Sequence, residues 1–229
     1  MLVKHWMSTE VVSVGVNHTM YDAAKLLMQQ GVNMLPVMKD GGLVGIVTDR
    51  DLKRAAPSHL TLLEVKHILF NMTRVELGTI MTPDPITIPP AFTLEEAAEV
   101  LLTNKISGCP VVESEGTLVG VITKNDIFRA LISLTGPRNR GVQFGLRMGD
   151  DPGNIRKLDD IISSHGGRLV SVLGARDPAD EERRFVYVRA FNLDRDQVRR
   201  MMGELSQEAA LLYMVDYREN KREEYPETE

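Results

Sequence analysis

Residues 43–52 read LVGIVTDRDL, and residues 118–127 read LVGVITKNDI. In each, a short apolar run interrupted by glycine ends in threonine, and an aspartate follows three residues later. The run has the composition of a buried strand. Thr-x-x-Asp at its end is a helix N-terminus signature, in which the hydroxyl accepts from a backbone N–H one turn on and the carboxylate reaches back to the threonine N–H. Each stretch therefore predicts a strand running directly into a helix. Working outward, the pairing continues through Met7/Met81, Thr19/Thr93, Ala23/Ala97, Ala24/Ala98, Leu27/Leu101, Pro36/Pro110, Val37/Val111 and Gly42/Gly116. After one extra residue in the second copy it resumes with Leu43/Leu118, Gly45/Gly120, Thr48/Thr123 and Asp51/Asp126. Self-similarity sustained over so many positions marks a duplicated structural unit.

Each copy predicts the order β-α-β-β-α. The strands are VVSV (11–14), MLPVM (34–38) and LVGIV (43–47) in the first copy, and PITI (85–88), GCPVV (108–112) and LVGVI (118–122) in the second. Thr93 to Glu96 has capping-box spacing, and Thr19 to Asp22 is its aspartate version. Ala23, Ala24, Leu27 and Met28 recur at helical spacing and read as a core face. Met20 and Met28 align with Leu94 and Leu102, so they too read as core filler.

The pattern resembles a tandem pair of CBS domains, a Bateman module, from Val3 to Leu134. The resemblance rests on HWMS (5–8) and TIMT (79–82), the Pro36 and Pro110 strands, and the Gly-x-x-Thr-x-x-Asp closings at Gly45–Asp51 and Gly120–Asp126. It divides the chain into a first CBS domain over 1–56, a connecting helix and linker over 57–78, and a second CBS domain over 79–134. It implies a regulatory role with an adenine nucleotide, AMP, ADP, ATP or a related adenosyl compound, as ligand. Thr48 and Thr123 would lie near phosphate or ribose, and Asp51 and Asp126 on the ribose. The adenine would lie around Val12, Leu35 and Pro36 in one site and around Ile86, Cys109 and Pro110 in the other. Arg50, with Lys53 and Arg54, gives site one more positive charge than Lys124 and Arg129 give site two, so site one is expected to prefer the more phosphorylated ligand. The residues alone leave a second reading open, in which the threonines and aspartates only cap helices. The resemblance also implies a homodimer, with Trp6 and the connecting helix as candidate contacts, and a regulated partner that the sequence does not name.

Past a linker at 135–141, TGPRNRG, the repeat stops. Strand VQFGLRM (142–148), a helix from Ile155 to His165, strands RLVSVLGA (168–175) and RFVYVRAF (184–191), a helix from Asp194 to Leu205 and strand LLYMVDY (211–217) follow. This β-α-β-β-α-β order over 142–217 predicts a ferredoxin-like sandwich. The polar residues 218–229 read as a disordered tail. The turn Asp151-Pro-Gly-Asn-Ile155 and SHGGRLVSV resemble the ACT domain, which implies Asp151, Gly153 and Asn154 as candidate amino-acid ligand positions. A Pro-Gly helix start is equally the product of chain geometry. The order CBS, CBS, ACT is similar to the acetoin-utilisation regulatory proteins of bacteria. The fold class is thus α/β (α+β).

Composition narrows the function. With 43% hydrophobic and 26% charged residues the chain is an ordinary globular protein, and a net charge of −5 offers no basic footprint for nucleic acid. No apolar run spans a bilayer, no signal peptide opens the chain, and a single cysteine rules out an internal disulfide; the expectation is a cytoplasmic protein. Cys109 aligns with Leu35 and reads as a core slot rather than a nucleophile. The five histidines, among them His18, which aligns with Phe92, show no metal-ligand spacing. No Gly-x-Gly-x-x-Gly, P-loop or catalytic triad is identifiable. The expectation is a non-enzyme that requires no metal or cofactor.

Overall fold

The structure is a computed structural model that describes residues 1–55, 72–136 and 141–226. The chain divides into two compact units, Met1–Phe128 and Arg129–Glu229. The division falls inside a helix, Lys124–Thr135. Most of the expected connecting helix lies outside the described residues.

In the first unit, copy one builds β1 (Val14–Gly15), α1 (Met20–Gln30), β2 (Met34–Lys39), β3 (Gly42–Thr48) and α2 (Asp49–Ala55). Thr19 caps α1, accepting from Asp22 N while the Asp22 carboxylate accepts from Thr19 N, and Gly31 ends it at φ 63°. That left-handed backbone is the common helix stop. Asp40 and Gly41 join β2 to β3 with φ of 51° and 83°, the two positive angles that a tight two-residue hairpin needs. The parallel pair β1–β2 registers Val14 with Val37. The short β1 replaces most of the expected VVSV strand. Beneath the sheet lie Met20, Ala23, Leu27, Leu35, Val37, Val47 and Leu52.

Copy two repeats this with α3 (Leu94–Thr103), β5 (Gly108–Val112), β6 (Leu118–Thr123) and α4 (Lys124–Thr135), and Thr93 and Glu96 complete the capping box. Of the expected PITI strand, Ile88 bridges in parallel to Val111. The face predicted for α1 ends sooner than expected. Ala23 and Leu27 are buried, but Met28 is 84% exposed and its counterpart Leu102 is 69% exposed. Both sit about 100° round the helix from the buried residue before them, which carries them off the sheet.

The two copies exchange their leading segments. β4 (Thr82–Pro83) pairs with β3 of copy one, and Ser8 bridges to Val121 on β6 of copy two. Likewise Val3 N donates to Phe92 O at 2.8 Å, and Leu77 N donates to His18 O at 2.9 Å. Gly45 and Gly120 make room for this. A Cβ at Gly45 would stand 2.5 Å from Met81 Sδ, and one at Gly120 would stand 2.5 Å from Met7 Sδ. The methionines and glycines paired in the repeat are therefore partners across it.

In the second unit β7 (Val142–Gly149), α5 (Asn154–Ser164), β8 (Arg168–Asp177), β9 (Asp180–Phe191), α6 (Arg195–Glu208) and β10 (Ala210–Asp216) form the expected ferredoxin-like arrangement. The sheet runs β11-β10-β7-β9-β8, with antiparallel neighbours throughout. Alternation along the strands sends Phe144, Leu146, Val186 and Val188 into one core with Leu158 and Ile162 of α5 and Val198, Met201 and Leu205 of α6. The extra strand, β11 (Lys221–Glu224), corrects the reading of a disordered tail. It pairs Lys221 with Asp216 through to Glu224 with Tyr213, and Tyr225 packs half-buried against the core. Backbone pairing to an open sheet edge makes no demand on side-chain hydrophobicity, so a charged sequence can occupy it.

Candidate nucleotide site at two strand-to-helix junctions

At the end of β3, Asp51 Oδ2 accepts from Thr48 N at 2.9 Å and from Thr48 Oγ1 at 2.6 Å, and Asp51 N donates to Thr48 Oγ1 at 3.3 Å. At the end of β6 the same three contacts join Thr123 and Asp126, at 2.8, 2.6 and 3.4 Å. The first helical N–H is spent on the residue just before the other strand of the hairpin, β2 or β5: Asp49 N donates to Asn33 O at 3.3 Å, and Lys124 N donates to Ser107 O at 2.9 Å. Both junctions are thus helix caps, made in one geometry.

Capping does not account for their burial. The Thr19–Asp22 cap uses the same contacts, with the threonine hydroxyl 2.7 Å from Asp22 Oδ2, and its aspartate is exposed. Asp51 is 9% exposed and Asp126 is 3% exposed. Burying a carboxylate is unfavourable unless its oxygens are met, and a cap works equally well in water. In both sites a single oxygen, Oδ2, takes both threonine donors, so the cap itself does not use Oδ1. A carboxylate carries two oxygens, so one group can both cap a helix and accept from the hydroxyls of a ribose.

The surrounding residues divide into those that reach the surface and those that do not. Thr48, Thr123, Val12 and Lys124 are half-buried, while Arg50 and Ile86 are exposed. Pro36 and Pro110 are buried in β2 and β5. Leu35 and Cys109 are wholly buried, with no exposed surface. Their side chains belong to the buried interior of the first unit. Burial also pushes the Cys109 thiol up to about 12, which removes the thiolate needed for nucleophilic chemistry near neutral pH. The cations of site one are partly committed. Lys53 Nζ lies 2.8 Å from Asp49 Oδ2, and Arg54 Nη1 lies 4.0 Å from Asp51 Oδ1. His18 is a surface ring whose Nδ1 accepts from Gly15 N at 3.0 Å.

In the second unit, Asp151 and Gly153 are exposed at the start of α5. Asn154 Nδ2 donates to Gly149 O at 2.9 Å, which ties the turn to the end of β7. Gly153 has the right-handed backbone of any L residue, so its conformation does not require glycine. Sequence reasoning passed over a different group in this unit, a buried arginine on β9, because an Arg within an alternating strand carries no motif. Among the described residues no group of three or more His, Cys, Asp and Glu is placed to hold a metal, and no helix is long and apolar enough to cross a membrane.

Comparison with known proteins bears on the first unit. The CBS domain family matches residues 3–58 and 77–133. A CBS domain-containing protein of Dictyostelium discoideum is 32% identical over 137 residues, covering 59% of this chain and 94% of its own length. The crystal structure of CBSX2, a CBS-pair protein from Arabidopsis thaliana, superposes with a TM-score of 0.53 at 31% identity, over 59% of this chain and 96% of that one. CBSX2 has also been solved in complex with AMP, a structure with a TM-score of 0.49 at 31% identity over 58% of this chain and 98% of that one. Inosine-5'-monophosphate dehydrogenase of Korarchaeum cryptofilum is 34% identical over 119 residues, 52% of this chain but only 22% of the enzyme.

Proposed function

The chain belongs to the CBS-domain family, and from that premise we propose that it is a cytoplasmic regulatory protein, not an enzyme, whose CBS pair binds an adenine nucleotide or related adenosyl compound. The observation that carries this is the burial of Asp51 and Asp126 at duplicated junctions, where an exposed aspartate suffices for the cap on α1. Each ribose sits on Asp51 or Asp126, and the phosphates extend toward Thr48 and Arg50 in site one and toward Thr123 and Lys124 in site two. The adenine lies along the Val12–Pro36 or the Ile86–Pro110 side. The chain works as a homodimer, and occupancy biases its arrangement for a regulated partner, to the extent that the ligand prefers one state. The C-terminal unit is an ACT-type module, with Asp151, Gly153 and Asn154 as its ligand turn, and the setting is acetoin or central carbon metabolism.

Calorimetric titration of AMP, ADP, ATP and S-adenosylmethionine into the wild type and into Asp51→Asn, Asp126→Asn and Asp22→Asn tests the reading. Loss of one charge-assisted contact corresponds to about tenfold or more in affinity. That loss is expected in the first two variants, with Asp22→Asn binding as wild type. Absence of binding by every ligand, or equal binding by all four proteins, leaves helix capping as the sole role of these residues. A greater loss of ATP than of AMP binding in Asp51→Asn than in Asp126→Asn is the expected mark of site one's preference for phosphate.

A further inference from the structure

The C-terminal sheet has two edges of different character. In the order β11-β10-β7-β9-β8, the first edge is β11, four residues that are all charged, KREE. The other is β8, ten residues long, and no described strand pairs with its outer side. An unpaired edge presents a row of backbone N–H and C=O groups, and chains guard such rows with charges, proline, bulges or short length. β8 has that protection only toward its ends. Its pairing with β9 shifts register between Leu169 and Ser171 and again between Arg176 and Asp177, and Arg168 and Arg176 are exposed beside those shifts. Between them Ser171-Val-Leu-Gly-Ala175 carries no charge and no proline.

This unguarded stretch is apolar on both faces. Alternation turns Val172 to the side of the core, opposite Val188, and turns Leu173 the other way, opposite Tyr187. Both are 36% exposed, so an added strand would cover one apolar side chain on each face. Charge then selects the strand that fits. A second copy of β8 can pair antiparallel across a twofold axis perpendicular to the sheet, and such an axis sets one residue opposite itself. Centred on Leu173, the whole uncharged run lies on its own copy, with Val172 opposite Gly174 of the partner subunit and Ser171 opposite Ala175 of the partner subunit. Centred on Gly174, the pairing sets Arg176 against Val172 of the partner subunit, and centred on Val172 it carries Gly174 into the irregular stretch at Val170 of the partner subunit.

We propose that β8 pairs antiparallel with β8 of a second copy, centred on Leu173, so that two C-terminal sheets join edge to edge. The contact rests on the homodimer proposed above. Five residues a side are too few to bury the roughly 800 Å² per partner of a self-sufficient interface, so the strands meet within a dimer that the rest of the chain holds. The pairing gives the C-terminal unit a part in assembly that requires no ligand.

Cysteine coupling in the full chain tests it. Cys109 is wholly buried and its thiol is pushed up to about 12, so an introduced cysteine is the reactive one. Leu173→Cys should form an intermolecular disulfide under mild oxidation, because opposed antiparallel residues have Cα atoms about 4.5–5.5 Å apart, within disulfide reach. Ser171→Cys and Ala175→Cys should each stay uncoupled alone, since either residue lies about 13 Å along the strand from its own copy. The double variant Ser171→Cys, Ala175→Cys should couple, because the two positions face each other across the axis, and it keeps the test open should Leu173→Cys fail to fold. Non-reducing electrophoresis reads the coupling, and sedimentation equilibrium of the wild type reads the dimer. A dimer in which folded Leu173→Cys couples no better than Ser171→Cys, or in which the double variant couples no better than its single parents, overturns this contact and leaves the homodimer standing. A monomeric wild type overturns both.

Discussion

Gly45 and Gly120 show how a single residue can be decided by a partner far along the chain. Their Cβ positions are filled by Met81 and Met7, and behind the flexible methionine at Gly45 stands Thr82 O at 3.0 Å. A methyl there has to displace the backbone that joins the copies. Gly203, within α6, has nothing within 4 Å of its Cβ. Gly45→Ala should therefore destabilise the chain by about 1–3 kcal/mol through overpacking, whereas Gly203→Ala should stabilise it by about 1 kcal/mol through helix propensity. Urea denaturation of the two variants beside the wild type measures both, and a neutral Gly45→Ala would show that the exchange is loosely packed.

Among elements, the capped helices were legible from the sequence because a cap is a local device. Thr19, Thr93, Thr48 and Thr123 each meet their acid three residues on, as the spacing predicted. What local spacing does not determine is where the apolar face of α1 or α3 stops. Met28 and Leu102 occupy matching exposed positions in the two copies, and Phe128, Leu131 and Ile132 lie at helical spacing on α4 at 58%, 51% and 49% exposure. Recurrent large apolar side chains in water are the surface that the proposed homodimer requires. Met28→Glu and Leu102→Glu together should convert a dimer into a monomer in sedimentation equilibrium without loss of helical signal. A double variant that sediments as wild type places the interface elsewhere. The same limit hid β11, whose charged side chains give no strand periodicity while its backbone completes an open edge.

At the scale of the whole molecule, the two units should answer to different perturbations. Asp177 is held below the usual carboxylate range first by the backbone N–H of Ala179 and then by Arg147, and Asp216 first by the guanidinium of Arg218. A carboxylate whose folded pKa is lowered contributes stability above its unfolded value, about 3.9, and loses it as the pH falls through the folded value. The C-terminal unit should therefore weaken below about pH 4, and Asp216→Asn should flatten that decline. In the first unit the lowered aspartates, Asp22 and Asp49, are exposed, where screening leaves such pairs a small effect. Calorimetry across pH 3–7 should show acid acting on one transition and adenine nucleotide on the other. A single transition moved equally by both would refute the separation.

The duplication, the β-α-β-β-α order of the copies, the four threonine-led caps and the ferredoxin-like order of the C-terminal strands were all legible in the residues alone. All of these rest on contacts between residues a few positions apart or on the period of a strand or helix. It takes the folded chain to show that Met7 and Met81 pack on the glycine of the opposite copy, that Leu35 and Cys109 are wholly buried, that β11 extends the second sheet, and that Arg189 is buried without an acid among the described residues. Aligning a repeat shows which residues are equivalent, but equivalent residues can pack within a copy or across copies with the same pattern. The choice depends on which distant surfaces meet when the chain closes on itself, and that is a property of the assembled fold.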